Sequence, residues 1–125
     1  MRALNFCIGL ALIATSGSAF AKRDRSVPEA KPVGEAVNCI QLSSIRESRV
    51  RSDSVIDFRT SGGKWYRNTL PHSCPSLGFE ERFSHATSIN QLCSVDIITV
   101  LDSPGLSRGP SCGLGKFQPV EMIKR

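Results

Sequence analysis

The residues of this 125-residue chain with the richest potential chemistry are its two histidines and five cysteines. His72, Cys74, His85 and Cys93 form the series H-x-C-x10-H-x7-C. These are side chains of the type that hold zinc tetrahedrally, but structural zinc sites usually pair close cysteines as C-x2–4-C. No such pair occurs here. A redox thiol commonly sits in C-x-x-C, which is also absent. Cysteine–histidine catalysis by Cys74 with His72 or His85 requires Cys74 to be unpaired. The chain has no G-x-S-x-G elbow. Ser61-Gly62-Gly63-Lys64 lacks the spacing and the following helix of a phosphate loop, and a hairpin turn explains it.

Which of these chemistries survives depends on the compartment. Arg2 precedes an apolar run from Leu4 to Ala14, interrupted by Asn5 and Gly9, and small residues then lead to Ala19-Phe20-Ala21. This is the pattern of a signal peptide over residues 1–21 with cleavage after Ala21. The run is about half the ~20 apolar residues of a membrane span, and no later segment is apolar enough to span. The expected product is soluble, periplasmic or secreted. Cys7 leaves with the signal, so Cys39, Cys74, Cys93 and Cys112 remain. An even set in an exported chain reads as two disulfides. Three pairings are open. The preferred one joins Cys74 to Cys93, closing a short loop, and Cys39 to Cys112, tying the first strand to the last. The whole chain carries a net charge of +5. Without Arg2 the mature chain keeps a mild positive charge, which points to an anionic envelope component or another protein as partner. Nucleic acid is scarce in that compartment and is not expected, and no cofactor is implied.

The elements that must position these residues are short. Residues 22–38 are charged, carry Pro28, Pro32 and Gly34, and read as a flexible leader. A single domain follows over residues 39–125. "CIQLSSI" opens it as a strand or a short turn. The clearest hairpin has two β-rich arms around Gly62-Gly63. A three-residue loop, Ser61 to Gly63, sets Phe58 opposite Tyr66, Asp57 opposite Arg67 and Arg59 beside Trp65. One face then carries Ile56, Phe58 and Tyr66, and the other carries a charge pair and an Arg59–Trp65 cation–π contact. "FEERFSHAT" is a further strand candidate. "CSVDIITVLD" is the best single strand, apolar on both faces and therefore central and buried. "SPGLSRGPS" reads as loop because of its prolines and glycines. A last strand around Lys116 to Val120 contains Pro119, which favours an edge or a strand end. The expectation is mainly β: a small antiparallel sheet or partly closed barrel of five to six short strands, stapled by two disulfides.

"YRNTL", "CPSLGFEERF", "LCSVDIITVL" and "CGLGKFQPV" together resemble a bacterial family of small exported proteins, common in proteobacteria, that is known as a domain of unknown function. The resemblance covers about Asn38 to Glu121. Its marks are the four cysteines, Tyr66-Arg67-Asn68, Asp96 and Leu114 to Phe117. It implies export and a four-cysteine core, and it carries over no catalytic residue. Some members bear a lipid-anchor signal. This chain has no cysteine at the cleavage site, so the expected product is soluble rather than anchored.

Two candidate sites remain. Asp96 lies between Val95 and Ile97 in the apolar strand, where a buried carboxylate must be paired or hydrogen-bonded. It reads either as an acid or base of raised pKa or, preferred, as a structural carboxylate. The second candidate is a basic, aromatic-bearing sheet face of Arg46, Arg49, Arg51, Arg59, Trp65 and Arg67. The three arginines of "RESRVR" are expected on one strand face, where guanidinium groups recognise carboxylate or phosphate and Trp65 stacks. The competing reading is a solvated face that protects an edge from aggregation. The favoured function is a non-enzymatic envelope interaction module. The alternatives are a small enzyme using Asp96 or a histidine, and a metal-binding protein using His72 and His85.

Overall fold

A computed structural model of the chain describes residues 27–87, 89–103 and 105–123. The expected signal peptide over residues 1–21 lies outside them. Its organising unit is the hairpin read from the sequence. β4 (Val55–Thr60) and β5 (Trp65–Thr69) flank a tight turn over Ser61–Gly63. Phe58 stands opposite Tyr66, Asp57 opposite Arg67 and Arg59 opposite Trp65, the register set by a three-residue loop. Gly62 and Gly63 take φ of 86° and 80°, the left-handed region that glycine enters without a Cβ clash.

Other strands add to both sides. β1 (Ala30–Pro32), β2 (Cys39–Gln41) and β3 (Ile45–Val50) precede the hairpin. A four-residue helix α1 (Leu77–Glu80) follows it, and then come β6 (Phe83–His85), β7 (Gln91–Cys93), β8 (Ile97–Asp102), β9 (Ser107–Gly113) and β10 (Phe117–Met122). The sheets are antiparallel and not closed into a barrel. One has the order β1-β10-β5-β4-β3, one pairs β2 with β7, and one has the order β6-β8-β9. Their inner faces share a core of Ile56, Phe58, Leu92, Ile98, Val100 and Phe117 with Leu77 of α1, each 0–1% exposed. Phe58 is its hinge. Its ring meets Phe117 edge-on at 5.6 Å and Phe83 of the other sheet at 6.5 Å, the offset geometry that aromatic quadrupoles favour.

The structure corrects several expectations. Ten strands occur among the described residues rather than five or six. Four of them are three residues long, too short to show a period. The leader is ordered over its described part: β1 pairs with β10, Ala30 to Met122 through Pro32 to Val120. The second part of the expected loop "SPGLSRGPS", Ser107–Ser111, belongs to β9. Its Gly109 and Pro110 fall in the register shift opposite Thr99–Leu101 on an edge strand, where proline is tolerated. Pro119 is in an interior strand, but Val33 N–H donates to its carbonyl at 2.9 Å and its missing donor faces the end of β1. β8 is central in its sheet yet buried on one face only: Ile98 and Val100 are buried, whereas Ile97 is 56% exposed, and Val95, expected in the same strand, lies in the turn before it and is 85% exposed.

All four described cysteines are in disulfides, with a different pairing from the preferred one. Cys39 joins Cys93 and Cys74 joins Cys112. The reason is topological. β2 and β7 pair with Cys39 directly opposite Cys93, which the chain pattern did not reveal because β2 is so short. Cys74 is left to reach β9.

Candidate functional site

The arginine face is the outer face of the five-stranded sheet. On β4 the even residues Ile56 and Phe58 point into the core, so Asp57 and Arg59 point outward. Asp57 is nevertheless 0% exposed. Arg67 grips it side-on: Nε donates to Oδ1 at 2.8 Å and Nη2 to Oδ2 at 2.9 Å. Arg51 Nε donates to Oδ2 at 2.9 Å, and Arg67 Nη2 also donates to Pro28 O at 2.9 Å. The strand register explains the closeness. Thr60 N–H donates to Lys64 O and Leu70 N–H to Ser54 O, each at 2.8 Å, which makes Asp57 and Arg67 a non-hydrogen-bonded pair, the kind with the closer side chains. The Arg51 and Arg67 side chains are each only 16% exposed.

A second cluster lies one row further along. Glu47 accepts from Arg59 Nε at 2.9 Å and from Arg49 Nε. The Arg59 bond, and then the Arg49 bond, hold the Glu47 carboxyl below its ordinary pKa of 4.5. Arg49 and Arg59 remain 56% and 39% exposed.

The cation over Trp65 is therefore Arg51, 5.8 Å from the ring centroid, and Arg59 pairs with Glu47 instead. Arg46 is exposed but does not continue the row of Arg49 and Arg51. It falls in the register shift between Ile45 and Glu47, and its Nη1 donates to Ser43 O at 3.0 Å. The six expected residues thus divide into an enclosed group, Arg51, Arg67 and the half-buried Trp65, and an accessible group, Arg46, Arg49 and Arg59. Asp57 was legible as the cross-strand partner of Arg67. Glu47 was missed as a site residue. Its signal was an acid set two residues from Arg49, on the same strand face.

Asp96 is not buried in β8. It is half-exposed in the turn before that strand, where Oδ2 accepts the Cys93 N–H at 2.7 Å and its own N–H donates to Cys93 O at 2.9 Å. These bonds close the turn, and they place Asp96 outside the buried strand in which it was expected. His72 and His85 are exposed, and among the described residues no three metal-binding side chains converge. The cysteines that would have joined the histidines are oxidised. Among the described residues no helix is long and apolar enough to cross a membrane.

The motif residues Asn68 and Gly115 also meet. Asn68, fully buried, donates through Nδ2 to Gly115 O and accepts the Gly115 N–H, both at 2.7 Å. A Cβ on Gly115 would lie 2.3 Å from Thr69 O. Arg67, Asn68, Asp96 and Phe117 thus all take part in internal contacts. No protein-family model, curated protein or solved structure matches this chain.

Proposed function

We propose that this chain is an exported, non-enzymatic interaction module of the cell envelope, which offers the guanidinium groups of Arg46, Arg49 and Arg59 to an anionic partner. The observation that carries the reading is that Arg49 and Arg59 share one carboxylate, Glu47, and keep exposed donors. Two guanidinium groups on one acid leave a net positive charge, and the shared bonds limit the side-chain entropy lost when a carboxylate or phosphate binds. Export is supported by the signal pattern of residues 1–21 and by the two disulfides. The enzymatic alternative, with Asp96 or a histidine, has less support, because the Asp96 carboxylate already accepts a backbone bond and His72 and His85 are exposed.

The test is co-sedimentation of the disulfide-bonded protein with anionic phospholipid vesicles and with uncharged ones. Substituting Arg46, Arg49 and Arg59 together by glutamine should abolish binding to the anionic vesicles. Wild-type binding should weaken as salt shortens the Debye length from about 10 Å at 0.1 M to about 3 Å at 1 M. Equal binding by wild type and variant would refute the assignment.

A further inference from the structure

The ladder hydrogen bonds reveal which backbone groups face the open side of β3. The bonds Thr60 to Lys64 and Leu70 to Ser54 turn the even residues of β4 toward β5. Alternation turns Val55, Asp57 and Arg59 toward β3, and Arg51 N–H donates to Val55 O at 2.8 Å as this requires. Glu47, Arg49 and Arg51 therefore complete the ladder, and the N–H and C=O groups of Ser48 and Val50 point away from it. β3 ends its sheet, and among the described residues no backbone group bonds to Ser48 or Val50 from that side. A groove of about 860 Å³ opens beside this edge, lined by Ser48 to Ser54 with Gly78 and Glu81.

An edge of this kind is a template for another strand, and its charges select the partner. We infer that β3 pairs antiparallel with β3 of a second copy, around a two-fold axis at Ser48, joining the two five-stranded sheets into one.

Three registers let Ser48 and Val50 bond to their counterparts. With the axis at Arg49, that arginine faces itself. With the axis at Val50, Arg49 faces Arg51 of the second copy. Like charges directly opposite are destabilising. With the axis at Ser48, Glu47 of each copy faces Arg49 of the other, and the central pair is two small serines that exchange backbone bonds. The same register brings the exposed Arg46 of each copy to Val50 of the other, beside the groove that Glu81 lines. The contact is isologous, so it closes at two copies and does not propagate. It draws on Arg46, Glu47 and Arg49, residues of the anionic site proposed above, but its readout is mass rather than binding, so the two proposals can fail separately.

Sedimentation equilibrium of the disulfide-bonded protein tests it. The wild type should show a concentration-dependent dimer. Ser48→Pro removes an N–H that the internal ladder does not use, so it should yield a monomer whose unfolding midpoint matches that of the wild type at concentrations too low for the dimer. Should that variant fold poorly, charge exchange supplies the second arm. Glu47→Arg and Arg49→Glu each reverse two cross-strand pairs and should each weaken the dimer roughly tenfold. An equimolar mixture of the two should dimerise again, because every contact is then an arginine against a glutamate. A wild type that stays monomeric, a dimer indifferent to both kinds of variant, or a mixture without recovery would overturn the inference.

Discussion

Asp57 and Glu47 are both acids on the outer sheet face, each held by two arginines, yet burial gives them different weight. Asp57 is fully enclosed and Glu47 is partly open to solvent. Removing one partner of a buried ion pair leaves an uncompensated charge and costs about 3–5 kcal/mol. Exposed pairs contribute about 0–1 kcal/mol. Asp57→Asn keeps the shape but strands the Arg51 and Arg67 charges, so urea unfolding should show a loss of about 3–5 kcal/mol. Glu47→Gln should leave the urea midpoint close to that of wild type, because solvent screens this pair. The pairing of Asp57 with Arg67 was readable from hairpin register, since facing residues follow from loop length. The bond from Arg51 was not. It comes from the next strand along, and its position depends on how β3 docks.

At the scale of elements, the hairpin was legible because its glycines, apolar alternation and charge pairs all favour one register. β9 was not, because proline and glycine argue against a strand everywhere except at an edge with a bulge. Edge position is a property of the sheet and not of the segment. The junction between β5 and the turn before β10 was equally hidden. Asn68 and Gly115 are 47 residues apart and exchange two bonds. Gly115→Ala would drive a methyl into the Thr69 carbonyl and part these elements. Asn68→Ala would leave both Gly115 backbone groups unsatisfied, at about 1–3 kcal/mol each. Thermal unfolding should place both variants well below wild type, with Gly113→Ala, which has open space around it, close to it.

At the scale of the molecule, Cys74–Cys112 ties the segment after β5 to β9 of another sheet, and Cys39–Cys93 locks β2 to β7 within their own sheet. Cys39–Cys93 spans 54 residues and Cys74–Cys112 spans 38. In the chain-entropy model each limits the unfolded state by roughly 4 kcal/mol, comparable to the whole stability of a small domain. A thiol count on the described cysteines in denaturant without reductant should find none, and reduction should lower the unfolding midpoint sharply. Free thiols in the oxidised protein would contradict the pairing. Composition and local pattern determined that the chain is mainly β, that Cys39, Cys74, Cys93 and Cys112 cross-link in two pairs, and that Asp57 meets Arg67. These follow from alternation and turn chemistry, which act over a few residues. Only the tertiary structure decided which cysteines pair, which arginines stay accessible, where Asp96 lies and which strand keeps an open edge. Each of these depends on three-residue strands and distant neighbours, whose pairing energy appears only once the core around Phe58 has brought the sheets together.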